Sequence, residues 1–131
     1  MTETWYSRTV FFVGDGERSL EFYTDKLGFS LDWNYEYEGR PHVFQVSLNG
    51  LELILNQVEE PTRGREGSGR VFVGLEDDQV EGFWQHIESH GIKTTVQLWG
   101  EPTVVVRDPD GNEIFFWLSD SEKERLRREM E

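Results

Sequence analysis

The chain contains no cysteine, which excludes disulfides, thiolate metal sites and cysteine nucleophiles together. No apolar run approaches the length of a membrane span, and Met1 to Arg8 show no basic start followed by an apolar stretch. The expectation is a cytoplasmic protein with no membrane partner. Basic residues are scarce: 13 Lys and Arg stand against 26 Asp and Glu, giving a formal charge of −13 spread along the chain. Such a field repels phosphate backbones, so nucleic acid is not an expected partner, while cationic ligands are attracted. There is also no nucleophile-elbow motif and no complete phosphate loop. Gly14-Asp15-Gly16 lacks the spacing of a nucleotide fingerprint and reads as a strand-to-helix turn.

What is present is a duplication. The 131 residues are one domain's worth, enough to hold a core, and periodicity divides them into two similar modules. Residues 5–56 give a strand over Trp5 to Val13, a helix over Glu17 to Leu27, and strands over Phe29 to Tyr37, His42 to Leu48 and Leu51 to Asn56. Asn49-Gly50 supplies a two-residue hairpin turn. A charged, Gly- and Pro-containing linker occupies 57–69. Residues 70–118 repeat the order: a strand to Leu75, a helix from Asp78 to His90, and strands over Lys93 to Trp99, Thr103 to Arg107 and Glu113 to Leu118. A shift of roughly sixty residues lays Phe22-Tyr23 on Phe83-Trp84 and Asn49-Gly50 on Asp110-Gly111, an internal βαβββ repeat. Residues 119–131 form a charged, peripheral helix behind two capping-box patterns, Ser119 with Glu122 and Ser121 with Glu124. The fold class is α+β. A four-stranded module with one helix cannot cover both faces of its sheet, so two modules must pair, within a chain or between chains, with the free faces curling into a cleft. Alternation puts Leu51, Leu53, Leu55, Ile114, Phe116 and Leu118 under the helices and leaves Glu52, Ile54, Asn56, Glu113, Phe115 and Trp117 for the cleft.

The turn Arg107-Asp108-Pro109-Asp110-Gly111-Asn112 between apolar strands has a local logic: Pro109 presets φ, Gly111 takes positive φ, and Asp110 and Asn112 can bond the local backbone. With the strand-helix segment Val10 to Phe29, it resembles the vicinal oxygen chelate superfamily, which holds glyoxalase I, extradiol dioxygenases and bleomycin-resistance proteins. The resemblance implies a glyoxalase/bleomycin-resistance-like curved mixed sheet around a cleft, in a homodimer. It also implies four metal-ligand positions, which fall here on Arg8, Ile54, Arg70 and Phe115. Arginine keeps its proton and the other two offer no donor atom, so neither metal nor cofactor is expected. Glu52 and Glu113 make a paired-carboxylate site conceivable; His86 and His90 lack a third ligand and read as a solvated helix face.

Leu27-Gly28-Phe29-Ser30-Leu31-Asp32-Trp33 and Gln97-Leu98-Trp99-Gly100 resemble the bleomycin-resistance branch, and by that similarity Asp32, Trp33, Tyr37 and Trp99 would contact a ligand. Five Trp, four Tyr and nine Phe support a stacking surface for a flat or cationic molecule. Arg8 and Arg70, equivalent in the repeat, pair either with Glu52 and Glu113 or with an anionic ligand. The leading expectation is a metal-free protein sequestering a small aromatic cation such as an antibiotic. The alternatives are a divalent-metal-dependent lyase, isomerase or dioxygenase with an atypical site, and a dimeric structural or regulatory protein whose cleft is filled by its own side chains.

Overall fold

The computed structural model describes residues 4–118 and 120–129, with Trp99 and four residues of the last helix described by their backbone alone. The elements run β1 (Thr9–Val13), α1 (Gly16–Glu21) continued by a π-helical turn (Phe22–Lys26), β2 (Ser30–Tyr37), β3 (Arg40–Leu48) and β4 (Leu51–Gln57). After a short 3-10 turn (Glu60–Thr62) come β5 (Arg70–Gly74), α2 (Asp77–Ser89), β6 (Thr95–Trp99), β7 (Glu101–Arg107), β8 (Glu113–Trp117) and α3 (Asp120–Glu129). They build two four-stranded sheets of matching order, β1-β4-β3-β2 and β5-β8-β7-β6. In each, the first strand pairs parallel with the last and the remaining pairs are antiparallel.

The alternation read from the sequence decides what is buried. Phe11, Val13, Phe44, Val46, Leu53 and Leu55 of the first sheet share one core with Val106 and Ile114 of the second, closed by Tyr23, Leu27 and Phe29 from the first module and Ile87 from α2. Each such side chain contributes about 1.5–3 kcal/mol by leaving water. Asn49 and Gly50 take positive φ, 51° and 88°, and turn β3 directly into β4, as a two-residue hairpin requires.

Three departures from the sequence reading have local causes. Trp5 to Arg8 form no strand; with Thr9 on Leu53, β4 begins only two residues earlier at Leu51, so Trp5 and Tyr6 lie beyond its end. They have no ladder to join and stand 92% and 81% exposed. The first helix is not α-helical to Leu27. It widens at Phe22, whose carbonyl accepts from Leu27 N–H, and Tyr23 sits edge-on between Phe22 and Phe29. The last helix is more than peripheral, since Leu126 is 2% exposed against Val104 and Leu118, with Arg125 lying over Trp84. Of the two capping boxes expected there, Ser119 and the side chain of Ser121 lie outside the described residues.

Beside the shared core, one turn ties the modules together by hydrogen bonds. Asp108 Oδ1 accepts from the backbone N–H of Asp110, Gly111 and Asn112, and its Oδ2 accepts from Tyr23 Oη at 3.0 Å. Asp110 accepts from Gly14 N–H, while Asn112 donates to the Phe12 carbonyl and accepts from Gly69 N–H. So Asp108 does the local bonding, and the residues expected to do it reach across to the first module. The equivalent junction, where Asn49-Gly50 meets α2, is spanned by a shorter turn and leaves an apolar cavity of about 420 Å³ lined by Leu48, Leu51, Leu75, Phe83, His86 and Phe116.

Burial, then the negative charge of Asp108, raises the Tyr23 phenol well above its ordinary 10.0. Below that pH the phenol is neutral in both states and its burial is fully stabilising. Above it the unfolded chain ionises first, so this contribution is lost as pH rises. Tyr23→Phe is expected to cost about 1 kcal/mol at neutral pH through the lost bond to Asp108, and to flatten the expected alkaline decline of stability, which urea titrations at several pH values would read.

Candidate functional site

The helices cover one face of each sheet; the other, open face is exposed in the first sheet and only in part in the second, where Val105 and Phe115 are 1% and 5% exposed. On the first sheet, the open face carries Val10 and Phe12 from β1, opposite Ile54 and Asn56 from β4 and Val43 and Gln45 from β3, as the register requires, with Arg8, just before β1, beside Glu52 of β4 and its β3 partner Ser47. Strand β2 slips register between Leu31 and Trp33 and again between Tyr35 and Glu36. The first bulge places two consecutive residues on the open face: Asp32 accepts from Gln45 Nε2 and Ser47 Oγ, both at 2.9 Å, and Trp33 pairs with Gln45. A regular strand would send them to opposite faces. The second bulge turns Tyr37 away, against the ring of His42 at 5.7 Å, and His42 Nε2 in turn lies 2.7 Å from Glu59.

The charged groups of this face are linked. Gln45 donates to Asp32 and to Glu52 at 3.0 Å, and Arg8 Nε lies 3.7 Å from Glu52. Gln45 is 4% exposed, and its Oε1 has no hydrogen-bond donor among the described residues. Around this network Trp33, Tyr35 and Val10 remain 40%, 62% and 44% exposed.

The second open face follows the same plan. Arg70, Phe72 and Gly74 pair with Glu113, Phe115 and Trp117, and Glu113 receives both Arg70 and Arg107 at 2.9 Å. Arg107 also donates to Thr95 Oγ1 at 2.8 Å. The Arg70 guanidinium lies 5.5 Å from the Phe115 ring centroid, and Phe72, 45% exposed, packs on Trp117 at 5.7 Å. The side chain of Trp99 lies outside the described residues.

Arg8, Asp32, Trp33, Glu52 and Ile54 are thus gathered on one open face, and Arg70, Glu113, Phe115 and Trp117 on the other. Among the described residues no hydrogen bond or ion pair crosses between these faces, each arginine engaging the carboxylate of its own sheet. Glu52 and Glu113 are held in different sheets, which leaves the paired-carboxylate arrangement unassembled within one chain. His86 and His90 stack at 4.0 Å, with His86 Nε2 2.7 Å from the Lys26 carbonyl, and no three His, Asp or Glu side chains converge to hold a metal among the described residues. Sequence reasoning missed Gln45, Ser47, Thr95 and Arg107. Their types are ordinary for strands, and only the register shows that they continue the rows begun by Arg8 and Arg70.

A second cavity, about 710 Å³ and open to solvent, lies between α2, β6 and α3, lined by Asp77, Glu81, Trp84, Glu88, Glu122 and Arg125. It is on the helix side, away from both rows. No helix among the described residues is long and apolar enough to cross a membrane.

Residues 5–116 match the family described as the Glyoxalase/Bleomycin resistance protein/Dioxygenase superfamily. A bleomycin resistance protein of Geobacillus stearothermophilus is 33% identical over 119 residues, with 80% of this chain and 89% of the relative covered. Among solved structures, TnmS3, an antibiotic binding protein from Streptomyces sp. CB03234, superposes with a TM-score of 0.62 at 22% identity, over 91% of this chain and all of the other. The bleomycin-binding protein of Streptomyces verticillus, complexed with copper(II)-bleomycin, gives 0.63 at 18% identity, over 92% of this chain and all of that one.

Proposed function

Because the chain belongs to the Glyoxalase/Bleomycin resistance protein/Dioxygenase superfamily, we propose that it is a cytoplasmic binding protein that sequesters a small aromatic molecule of the antibiotic type without a metal. The observation that carries this reading is the uncovered aromatic surface on the open faces. Trp33, Tyr35 and Phe72 stay exposed next to the arginine–glutamate pairs that each sheet makes within itself. Folding one chain leaves these surfaces in water, and a flat ligand stacked on them would remove them from it.

A single open sheet offers a wall rather than an enclosure, whereas small-molecule sites bury most of their ligand. We assign closure of the cleft to a second copy, whose open face would supply the opposite wall. Metal independence is supported by the side chains at the four positions the superfamily uses for ligation: Arg8, Ile54, Arg70 and Phe115 have no metal donor to give.

The test is a calorimetric titration with bleomycin in the presence of EDTA, alongside sedimentation analysis. Saturable heat and a dimer are expected. Trp33→Ala should weaken binding by about 1 kcal/mol, roughly fivefold. Absence of heat with bleomycin and with other aromatic cations, or binding restored only by added divalent ions, would overturn the reading.

A further inference from the structure

The two open faces have diverged in charge at matched positions. Across the first sheet, in the order β1-β4-β3-β2, one row reads Arg8, Glu52, Ser47, Asp32: Arg8 faces Glu52, Ser47 pairs with Glu52 and donates to Asp32. Across the second sheet the same row reads Arg70, Glu113, Arg107, Thr95, through Arg70 and Arg107 on Glu113 and Arg107 on Thr95. The first two members of each row are the same ion pair. The last two differ, neutral then negative in the first sheet, positive then neutral in the second.

One row therefore keeps an acid in excess and the other a base. Asp32 has hydrogen-bond donors but no cationic partner among the described residues. Beside it, Gln45 has committed its amide hydrogens to two carboxylates, and its buried Oε1 lacks a donor. That end of the row is short of one positive charge and one hydrogen-bond donor, and an ammonium group supplies both. In the second row Glu113 is shared by two guanidinium groups. Arg70 and Arg107 are 69% and 40% exposed, and each keeps N–H donors free for an oxyanion. A local excess of positive charge is notable on a chain carrying −13.

We infer that the ligand of the cleft is dipolar: an aromatic body carrying an ammonium group, bound at Asp32 and Gln45, and a carboxylate, bound at Arg70 and Arg107. This rests on the binding reading above and on a cleft whose two walls are the first sheet of one copy and the second sheet of the other.

Calorimetry with three probes of one aromatic skeleton tests it: naphthylethylamine as cation, naphthylpropionate as anion and naphthylalanine as zwitterion. The zwitterion is expected to bind about tenfold tighter than either singly charged probe. Asp32→Asn should reduce its affinity to that of the anion, and Arg107→Gln to that of the cation, with both variants still unfolding cooperatively. If the cation binds and the zwitterion is no tighter, or if Arg107→Gln leaves the zwitterion unaffected, the dipolar inference falls while the binding reading stands. If none of the three binds and bleomycin does not bind either, both fall.

Discussion

Asp108→Ala is expected to cost about 3 kcal/mol or more, a large share of the roughly 5–15 kcal/mol that holds a domain of this kind folded. Asp108 is 6% exposed and accepts five hydrogen bonds, from three backbone N–H groups, Tyr23 Oη and Asn112 Nδ2. Truncation strands four of the five donors at once in a site that water reaches poorly, Gly111 N–H keeping its bond to the Asp108 carbonyl, and an unsatisfied buried donor costs about 1–3 kcal/mol. The loss is below the simple sum because the turn can relax. Asp108→Asn should cost less: Oδ1 can still accept the backbone bonds, but an amide nitrogen then confronts Asn112 Nδ2, donor against donor. Urea unfolding reads both, as a lowered midpoint with an unchanged slope. A loss below about 1 kcal/mol for the alanine variant would show that the turn does not join the modules.

The second large effect is expected at Gly67. Its φ is +83°, and a Cβ built there would lie 2.1 Å from the carbonyl oxygen of Asp110. The neighbour is backbone of the same turn, so no side chain can swing aside. Gly67 also donates to the Phe12 carbonyl. Gly67→Ala therefore combines left-handed strain of about 1 kcal/mol with a displacement of the turn, for a total of about 3 kcal/mol. Combined with Asp108→Ala the costs should be less than additive, because both changes unseat one structure. Strict additivity in a double-mutant cycle would argue that Gly67 acts locally.

Much of this architecture was legible because its signals are local. The aliphatic sides of β4 and β8, Leu53 and Leu55 with Ile114, are buried to within 1% on the faces that period-two alternation assigns, and Asn49-Gly50 announces its own turn. The same alternation could not foresee the two bulges in β2. One bulge brings Asp32 and Trp33 to a shared face, and the other turns Tyr37 away from them. A bulge depends on how the partner strand pairs, which no window on β2 alone contains. Nor could the turn chemistry of Asp108 to Asn112 show that Asp110 and Asn112 serve residues almost a hundred positions earlier. Arg107 and Gln45 stayed hidden for the same reason: each acquires its role from a neighbour on the next strand.

That turn also sets a timetable. Tyr23 meets Asp108 across 85 positions, Gly14 meets Asp110 across 96 and Phe12 meets Asn112 across 100. Contacts of such separation form late, since most of the chain must be confined before any of them is rewarded. During synthesis the first module leaves the ribosome with the apolar sides of Phe11, Val13 and Leu55 still waiting for the second, and nothing made earlier can stand in for residues 108–112. The nascent first half is thus the sticky intermediate of this fold, and the interval before the turn arrives is when aggregation competes with maturation.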